Sequence, residues 1–86
     1  MIINGKETEL RFDVGAMKLF KKLTGKDFLQ LKMEEMDTDD IASMVYAFAV
    51  RGNPEITMDD IDSMGIGELV SMSQVITKLE GNVEGR

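Results

Sequence analysis

The sequence predicts a small α+β domain, mostly α, with an N-terminal β-hairpin (Met1–Phe12) followed by three to five helices. Three observations predict it. An Asn-Gly pair lies between apolar residues near the start of the chain, segments of helical periodicity fill the remainder, and 86 residues leave room for one domain. We expect residues 1–82 to form this single domain and residues 83–86 to be a frayed tail.

The hairpin is predicted from Asn4-Gly5, because a type I′ turn needs positive φ at both central residues. A two-residue loop would pair Ile3 with Lys6 and Ile2 with Glu7. The alternation continues to residue 12 and separates a polar face, which also carries Ile2, from an apolar face that another element must cover. The apolar face consists of Met1, Ile3, Leu10 and Phe12.

The next two segments differ in the clarity of their pattern. Asp13 can cap a helix N-terminus and Gly25 can end a helix, which predicts a helix from about Val14 to Thr24. The segment Asp27–Met36 fits neither the helical nor the strand period. It is therefore either a short helix or a packed loop.

The most hydrophobic helix is predicted from about Asp39 to Arg51, with Gly52 as its stop. Its apolar residues cover most of the circumference, which is typical of a helix buried on several sides. In a domain of this size, such a helix is either central or completed by another subunit.

Two further helices follow. Thr57 and Asp60 have the spacing of a capping box, which predicts a short helix from Met58 to Met64. The last helix is predicted from Gly67 to about Glu80, because apolar residues recur there at helical spacing and Gly81-Asn82 would end it.

Composition excludes several function classes. The chain has no histidine and no cysteine, which removes the commonest general base and the commonest zinc ligands. Its acidic clusters lie at predicted helix N-termini, where carboxylates are favoured without a metal. No apolar run approaches the ~20 residues that span a bilayer, and the first twelve residues do not resemble a signal peptide. We therefore expect no catalysis, no cofactor, no metal and no membrane contact.

Charge is unevenly distributed along the chain. Residues 1–32 carry seven Lys/Arg and four acids, whereas residues 33–86 carry three Lys/Arg and twelve acids. The net charge of −6 disfavours nucleic-acid binding, because phosphate backbones are repelled. Lys18, Lys21 and Lys22 are interpreted as the solvated face of their helix rather than as an anion site.

Protein contact is the remaining function class. The broad apolar surface of the Asp39–Arg51 helix and the apolar stripe of the last helix are more than a small domain readily covers. We therefore predict self-association and a partner-binding surface on these two helices. Its residues are Ile41, Met44, Val45, Phe48, Leu69, Met72, Ile76 and Leu79.

Two alternatives stay open. Asp62-Ser63-Met64 is similar to the Asp-Ser-Leu motif of acyl carrier proteins, in which the serine carries phosphopantetheine. Only 23 residues follow Ser63 and the chain opens with a hairpin signal, and both observations disfavour this alternative. The other alternative is an acidic inhibitor that occupies the nucleic-acid-binding surface of a basic protein.

As a whole, the chain resembles the small tail assembly chaperones of long-tailed, siphovirus-type bacteriophages and prophages. The resemblance rests on the order of its features: Ile2–Glu7 leading to Leu10–Asp13, a helix ending at Leu23–Gly25, the Ile41–Val50 helix, the acidic helix start Thr57–Ile61 and a terminal amphipathic helix. It extends over nearly the whole chain.

The resemblance implies a non-enzymatic protein that binds the phage tape-measure protein and helps to recruit tail-tube subunits. It implies action in the bacterial host cytoplasm and absence from the mature virion. Many such proteins also exist in a longer frameshifted form. A small binder present in many copies is suited to coating a long helical protein.

Overall fold

The computed structural model describes the backbone of residues 2–84 and the side chains of residues 2–32 and 34–75. The chain begins with two strands, β1 (Ile2–Ile3) and β2 (Lys6–Glu7), and continues into helix α1 (Val14–Thr24). Two 3-10 helices follow, Phe28–Gln30 and Met33–Glu35. Helices α2 (Thr38–Gly52), α3 (Met58–Asp62) and α4 (Ile66–Glu84) complete the described part. The predicted α+β, mostly helical fold with an N-terminal hairpin is confirmed.

The hairpin has the predicted turn and register. Asn4 and Gly5 have φ angles of 49° and 80°, and Ile2 pairs with Glu7 and Ile3 with Lys6 in antiparallel register. The strands end much earlier than residue 12, because the chain beyond Glu7 leaves the hairpin. Met1, which we predicted on the apolar face, lies outside the described residues.

The segment after β2 runs along α2 instead of extending the hairpin. The backbone N–H of Arg11 donates to the carbonyl oxygen of Phe48 at 3.0 Å. The predicted alternation survives in the burial, because Leu10 and Phe12 are partly covered while Glu9 and Arg11 are exposed. The side chains of residues 9–12 therefore keep the two-residue alternation of a strand, although this segment does not belong to the hairpin.

Helix α1 has the predicted bounds. The carboxylate of Asp13 accepts from the backbone N–H of Ala16 at 2.8 Å, and Gly25 ends the helix in the left-handed region with φ 77°. The two 3-10 helices resolve the ambiguous segment, since their tighter winding follows neither sequence period. They bring Phe28 into the core, where its ring centroid lies 5.5–5.9 Å from those of Phe12, Phe20 and Phe48.

Helix α2 ends one residue later than predicted. Gly52, the predicted stop after Arg51, is itself the last helical residue, and Asn53 is the C-cap. The backbone carbonyl of Glu9 occupies the space that a Cβ on Gly52 would need. The glycine is required by this close backbone approach rather than by a left-handed helix end.

Helix α4 also differs from the prediction at its C-terminus. It continues through Gly81-Asn82 to Glu84, beyond the end predicted at about Glu80. A single glycine in a helix costs only about 1 kcal/mol, which is insufficient to end it when no proline follows. Residues 85 and 86, the remainder of the predicted tail, lie outside the described residues.

Helix α3 is shorter than predicted and ends at Asp62.

Two buried carboxylates link the starts of α2 and α3 to other segments of the chain. Asp40 and Asp60 each occupy the third position of a capping box, at the starts of α2 and α3. Each also accepts from a lysine on another segment: Lys26 Nζ lies 2.6 Å from Asp40, and Lys6 Nζ lies 2.7 Å from Asp60. Each of these carboxylates thus accepts a hydrogen bond from a backbone N–H at a helix N-terminus and also forms an ion pair with a lysine of another segment.

Helix α2 is the centre of the domain, as its apolar circumference predicts. It packs against α1, α3 and α4. The core that they enclose consists of Ile3, Ala16, Phe20, Phe28, Met44, Val45, Ala47, Phe48, Ala49, Ile56, Ile61, Leu69 and Met72.

Candidate protein-interaction surface

The predicted surface residues of α2 lie in the core. Met44, Val45 and Phe48 are each 0% exposed, and Ile41 is half-buried. The prediction that these three buried residues face a partner is therefore wrong for the single folded chain. The reason is that α1, α3 and α4 together cover α2 on nearly every side, so no second subunit is needed to bury them.

Of the four predicted surface residues of α4, two are buried and two have side chains outside the described part. Leu69 and Met72 are buried against the core, with 7% and 8% of their surfaces exposed. The side chains of Ile76 and Leu79 lie outside the described residues. Met72 both reaches the core and lines an open cavity.

That cavity is an apolar groove between β1 and α4, which we call the hairpin groove. Its volume is about 420 Å³. Ile2 forms one wall and is 63% exposed, and Val75, which is 43% exposed, lies on the α4 wall. The described residues that line it are Ile2, Gly67, Glu68, Ser71, Met72 and Val75.

The α4 wall is shaped by small residues. Gly67, Ser71 and Val75 are spaced four residues apart and therefore follow one side of the helix. Apart from the adjacent residues and the backbone of α4 itself, no atom of a described residue lies within 4 Å of the position that a Cβ on Gly67 would take. A shallow depression bordered by larger apolar side chains suits the ridge of another helix.

The hairpin wall is held in place by Asp60. The amide of Asn4 donates to Asp60 Oδ1 at 2.7 Å, and Lys6 Nζ donates to Asp60 Oδ2 at 2.7 Å and to the carbonyl oxygen of Glu55 at 2.9 Å. The backbone N–H of Thr57 donates to the same carboxylate at 2.9 Å. These donors, Lys6 first, hold the pKa of Asp60 well below its usual range.

The other end of the groove is fixed by Glu68. Its Oε1 accepts from the backbone N–H of Gly65 at 3.2 Å, which satisfies a donor ahead of the first turn of α4. Among the described residues that line the groove, Glu68 is the one ionisable side chain. This described lining therefore offers apolar contact and one negative charge, and contains no general acid–base pair.

Sequence reasoning missed most of this groove. The alternation puts Ile2 on the polar face of the hairpin, and an isoleucine on such a face is the one signal that the face meets something apolar. Val75 lies beside the predicted apolar stripe of α4 rather than on it. The sequence predicts Gly67 only as the start of the last helix, because the open space beside it depends on where the hairpin lies.

Ser63, the candidate carrier site, is the C-cap of α3. Its hydroxyl donates to the backbone carbonyl of Asp59 at 2.8 Å. It lines a polar cleft of about 240 Å³ with Asn4, Asp60, Met64 and Glu68. The serine thus follows a helix of five residues in a domain that opens with a hairpin.

Among the described residues, no group of three or more acidic, His or Cys side chains could hold a metal ion. Within the same part of the chain, no helix is long and apolar enough to cross a bilayer. Comparisons with protein-family models, curated proteins and solved structures found no match to this chain.

Proposed function

We propose that this protein is a non-enzymatic tail assembly chaperone of a long-tailed phage or prophage, and that it binds the tape-measure protein in the hairpin groove. The observation that carries the proposal is an exposed apolar groove whose described lining residues include no catalytic constellation. It supports helix-in-groove recognition, in which apolar side chains at helical spacing dock into such a depression.

The groove suits a long helical partner for two reasons. Gly67 and Ser71 leave room for a close helix approach, while Ile2 and Val75 offer exposed apolar contact on either side. A single groove of this size gives weak binding, and many copies along one extended chain raise the total affinity. The proposed role includes recruitment of tail-tube subunits in the bacterial host cytoplasm and absence from the mature virion.

The test is co-expression with the tape-measure protein encoded by the same genome. We expect the two proteins to co-purify and the soluble fraction of the tape-measure protein to rise several-fold. Binding should persist at about 0.5 M salt, because apolar burial is not screened by ions. A tape-measure protein equally soluble with and without this chain would contradict the proposal.

An acidic inhibitor of a basic protein is the second candidate. The observation that favours it is the group of exposed acids around α3 and the start of α4, Glu55, Asp59, Asp62 and Glu68. An inhibitor of this kind would bind a basic nucleic-acid-binding protein at low salt and release it at high salt. Salt dependence of the recovered complex therefore separates the two candidates.

A further inference from the structure

The hairpin groove and the cleft beside Ser63, which we call the polar cleft, are neighbouring cavities that share a wall. Glu68 lines both of them. The hairpin also contributes to both, since Ile2 lines the groove and Asn4 lines the cleft. A segment that occupies the apolar groove therefore meets the polar cleft at Glu68, in the first turn of α4.

The two carboxylates of the polar cleft differ in their internal partners. Asp60 accepts from the amide of Asn4 and from Lys6 Nζ, each at 2.7 Å, so its charge is matched within the chain. Glu68 accepts from the backbone N–H of Gly65 at 3.2 Å and forms no ion pair with any described residue. Glu68 is thus the side chain whose charge is left for a partner to match.

The surrounding chain adds negative charge instead of a counter-charge. Residues 53–75 contain no lysine or arginine and five acids, Glu55, Asp59, Asp60, Asp62 and Glu68. An uncharged apolar helix lying in the groove would remove water from the carboxylate of Glu68. That desolvation is costly unless a cation takes the place of the lost water. The occupant of the groove must therefore bring its own positive charge.

We propose that the segment bound in the hairpin groove carries a lysine or arginine at one end of its apolar contacts, and that this side chain enters the polar cleft and pairs with Glu68. The inference rests on the proposed function, because it names the chemistry of the tape-measure segment that binds there. The cleft volume of about 240 Å³ far exceeds the ~10–15 Å³ that one water needs. The alkyl stem of such a side chain packs along apolar surface while its charged head reaches the polar end.

The charge pair selects among apolar segments and supplies a minor share of the affinity. A partly exposed ion pair is weak and is screened by salt, whereas apolar burial is not, so binding still persists at about 0.5 M salt. A segment with an acidic residue at the same place is rejected, because two carboxylates then face each other. Selection of this kind assigns the protein to particular positions along a long helical partner.

The first test removes the charge of Glu68 and keeps its hydrogen bond. Glu68→Gln retains a side-chain oxygen that accepts from Gly65, and it should weaken binding of the tape-measure protein about fivefold. Glu55→Gln is the matched control, since it makes the same change at an exposed position outside the described linings of both cavities. It should alter the affinity less than about twofold. Equal weakening by the two variants, or none by Glu68→Gln, would overturn the inference.

The second test is a charge swap. Overlapping fragments of the tape-measure protein locate the bound segment, and its lysine or arginine is then changed to glutamate. The changed segment should bind the wild type at least ~tenfold more weakly than the original does, and should bind Glu68→Lys more tightly than it binds the wild type. Circular dichroism checks that Glu68→Lys keeps its helical content.

The outcomes of the swap separate this inference from the proposed function. A bound segment without a basic residue would overturn the inference and leave the proposed function standing. The same holds for a changed segment that binds Glu68→Lys no better than it binds the wild type. Failure of every tape-measure fragment to bind the wild type would overturn the proposed function itself, and this inference with it.

Discussion

Lys6 Nζ lies 2.7 Å from Asp60 Oδ2 and joins the N-terminal hairpin to the start of α3, across 54 residues of sequence. Only 6% of the Asp60 side chain is exposed, and it also accepts from Asn4 and from the backbone of Thr57. This one carboxylate therefore positions the hairpin wall of the groove and caps a helix. Four predictions follow from such contacts, and a fifth concerns the groove itself.

We expect Asp60→Asn to lower the free energy of unfolding at pH 7 and to reduce the acid sensitivity of the fold. The pKa of Asp60 is lowered in the folded state, mainly by the hydrogen bond from Lys6. Its stabilisation is therefore present above the unfolded pKa, near pH 4, and is lost as pH falls through the folded pKa. Denaturant unfolding at several pH values measures this directly.

The difference in stability between wild type and Asp60→Asn should accordingly narrow between pH 7 and about pH 2. Asp59→Asn is the matched control, since Asp59 is an exposed neighbour in the same helix. It should lower stability less than Asp60→Asn at pH 7. A constant difference across the whole pH range would contradict the account of this carboxylate.

Gly52→Ala should destabilise the fold by more than about 2 kcal/mol, because the added methyl collides with the backbone carbonyl of Glu9. Gly67→Ala is the control, since open space surrounds that position in α4. It should leave stability unchanged or raise it by up to about 1 kcal/mol, because alanine is the better helix former. Thermal denaturation of both variants tests the pair, and equal effects would show that Glu9 does not approach α2 closely.

Phe48→Ala should lower the free energy of unfolding by about 3–5 kcal/mol. Phe48 is 0% exposed, and its ring stacks on Phe12 at a centroid distance of 5.2 Å. Val70→Ala, at an exposed position of α4, should change stability by less than about 0.5 kcal/mol. Urea unfolding provides both values, and a loss below about 1 kcal/mol for Phe48→Ala would contradict its place in the core.

Ser63 should remain unmodified when the protein is incubated with coenzyme A and a broad-specificity phosphopantetheinyl transferase. Its hydroxyl donates a hydrogen bond to the backbone carbonyl of Asp59 at the end of a five-residue helix. Intact-mass spectrometry would reveal an adduct. An adduct on Ser63 would overturn both this prediction and the assignment to an assembly chaperone.

Local signals were sufficient for most of the fold. Asn4-Gly5 predicted the turn and register, Asp13 and Gly25 predicted both ends of α1, and Thr57 with Asp60 predicted a capping box. Each signal acts over a few residues, so the sequence contains the whole interaction.

Features that depend on distant segments could not be predicted in the same way. The extent of β2 depends on the packing of the following segment along α2, and the glycine at position 52 is explained by the backbone of Glu9. The hairpin groove depends on Asp60 holding the hairpin near α4, which no short pattern encodes. The interaction surface was misplaced on α2 because periodicity identifies an apolar face without showing what covers it.

The central claim is that the hairpin groove binds the tape-measure protein, and one comparison tests it most directly. Val75→Asp places a charge in the groove lining, whereas Gln74→Asp places the same side chain on its exposed neighbour outside the lining. Co-expressed with the tape-measure protein, Val75→Asp should recover less than about a tenth of the complex recovered by the wild type, because a carboxylate is costly to bury against apolar surface. Gln74→Asp should recover nearly as much as the wild type. Equal recovery by the two variants, with both folded, would contradict the claim.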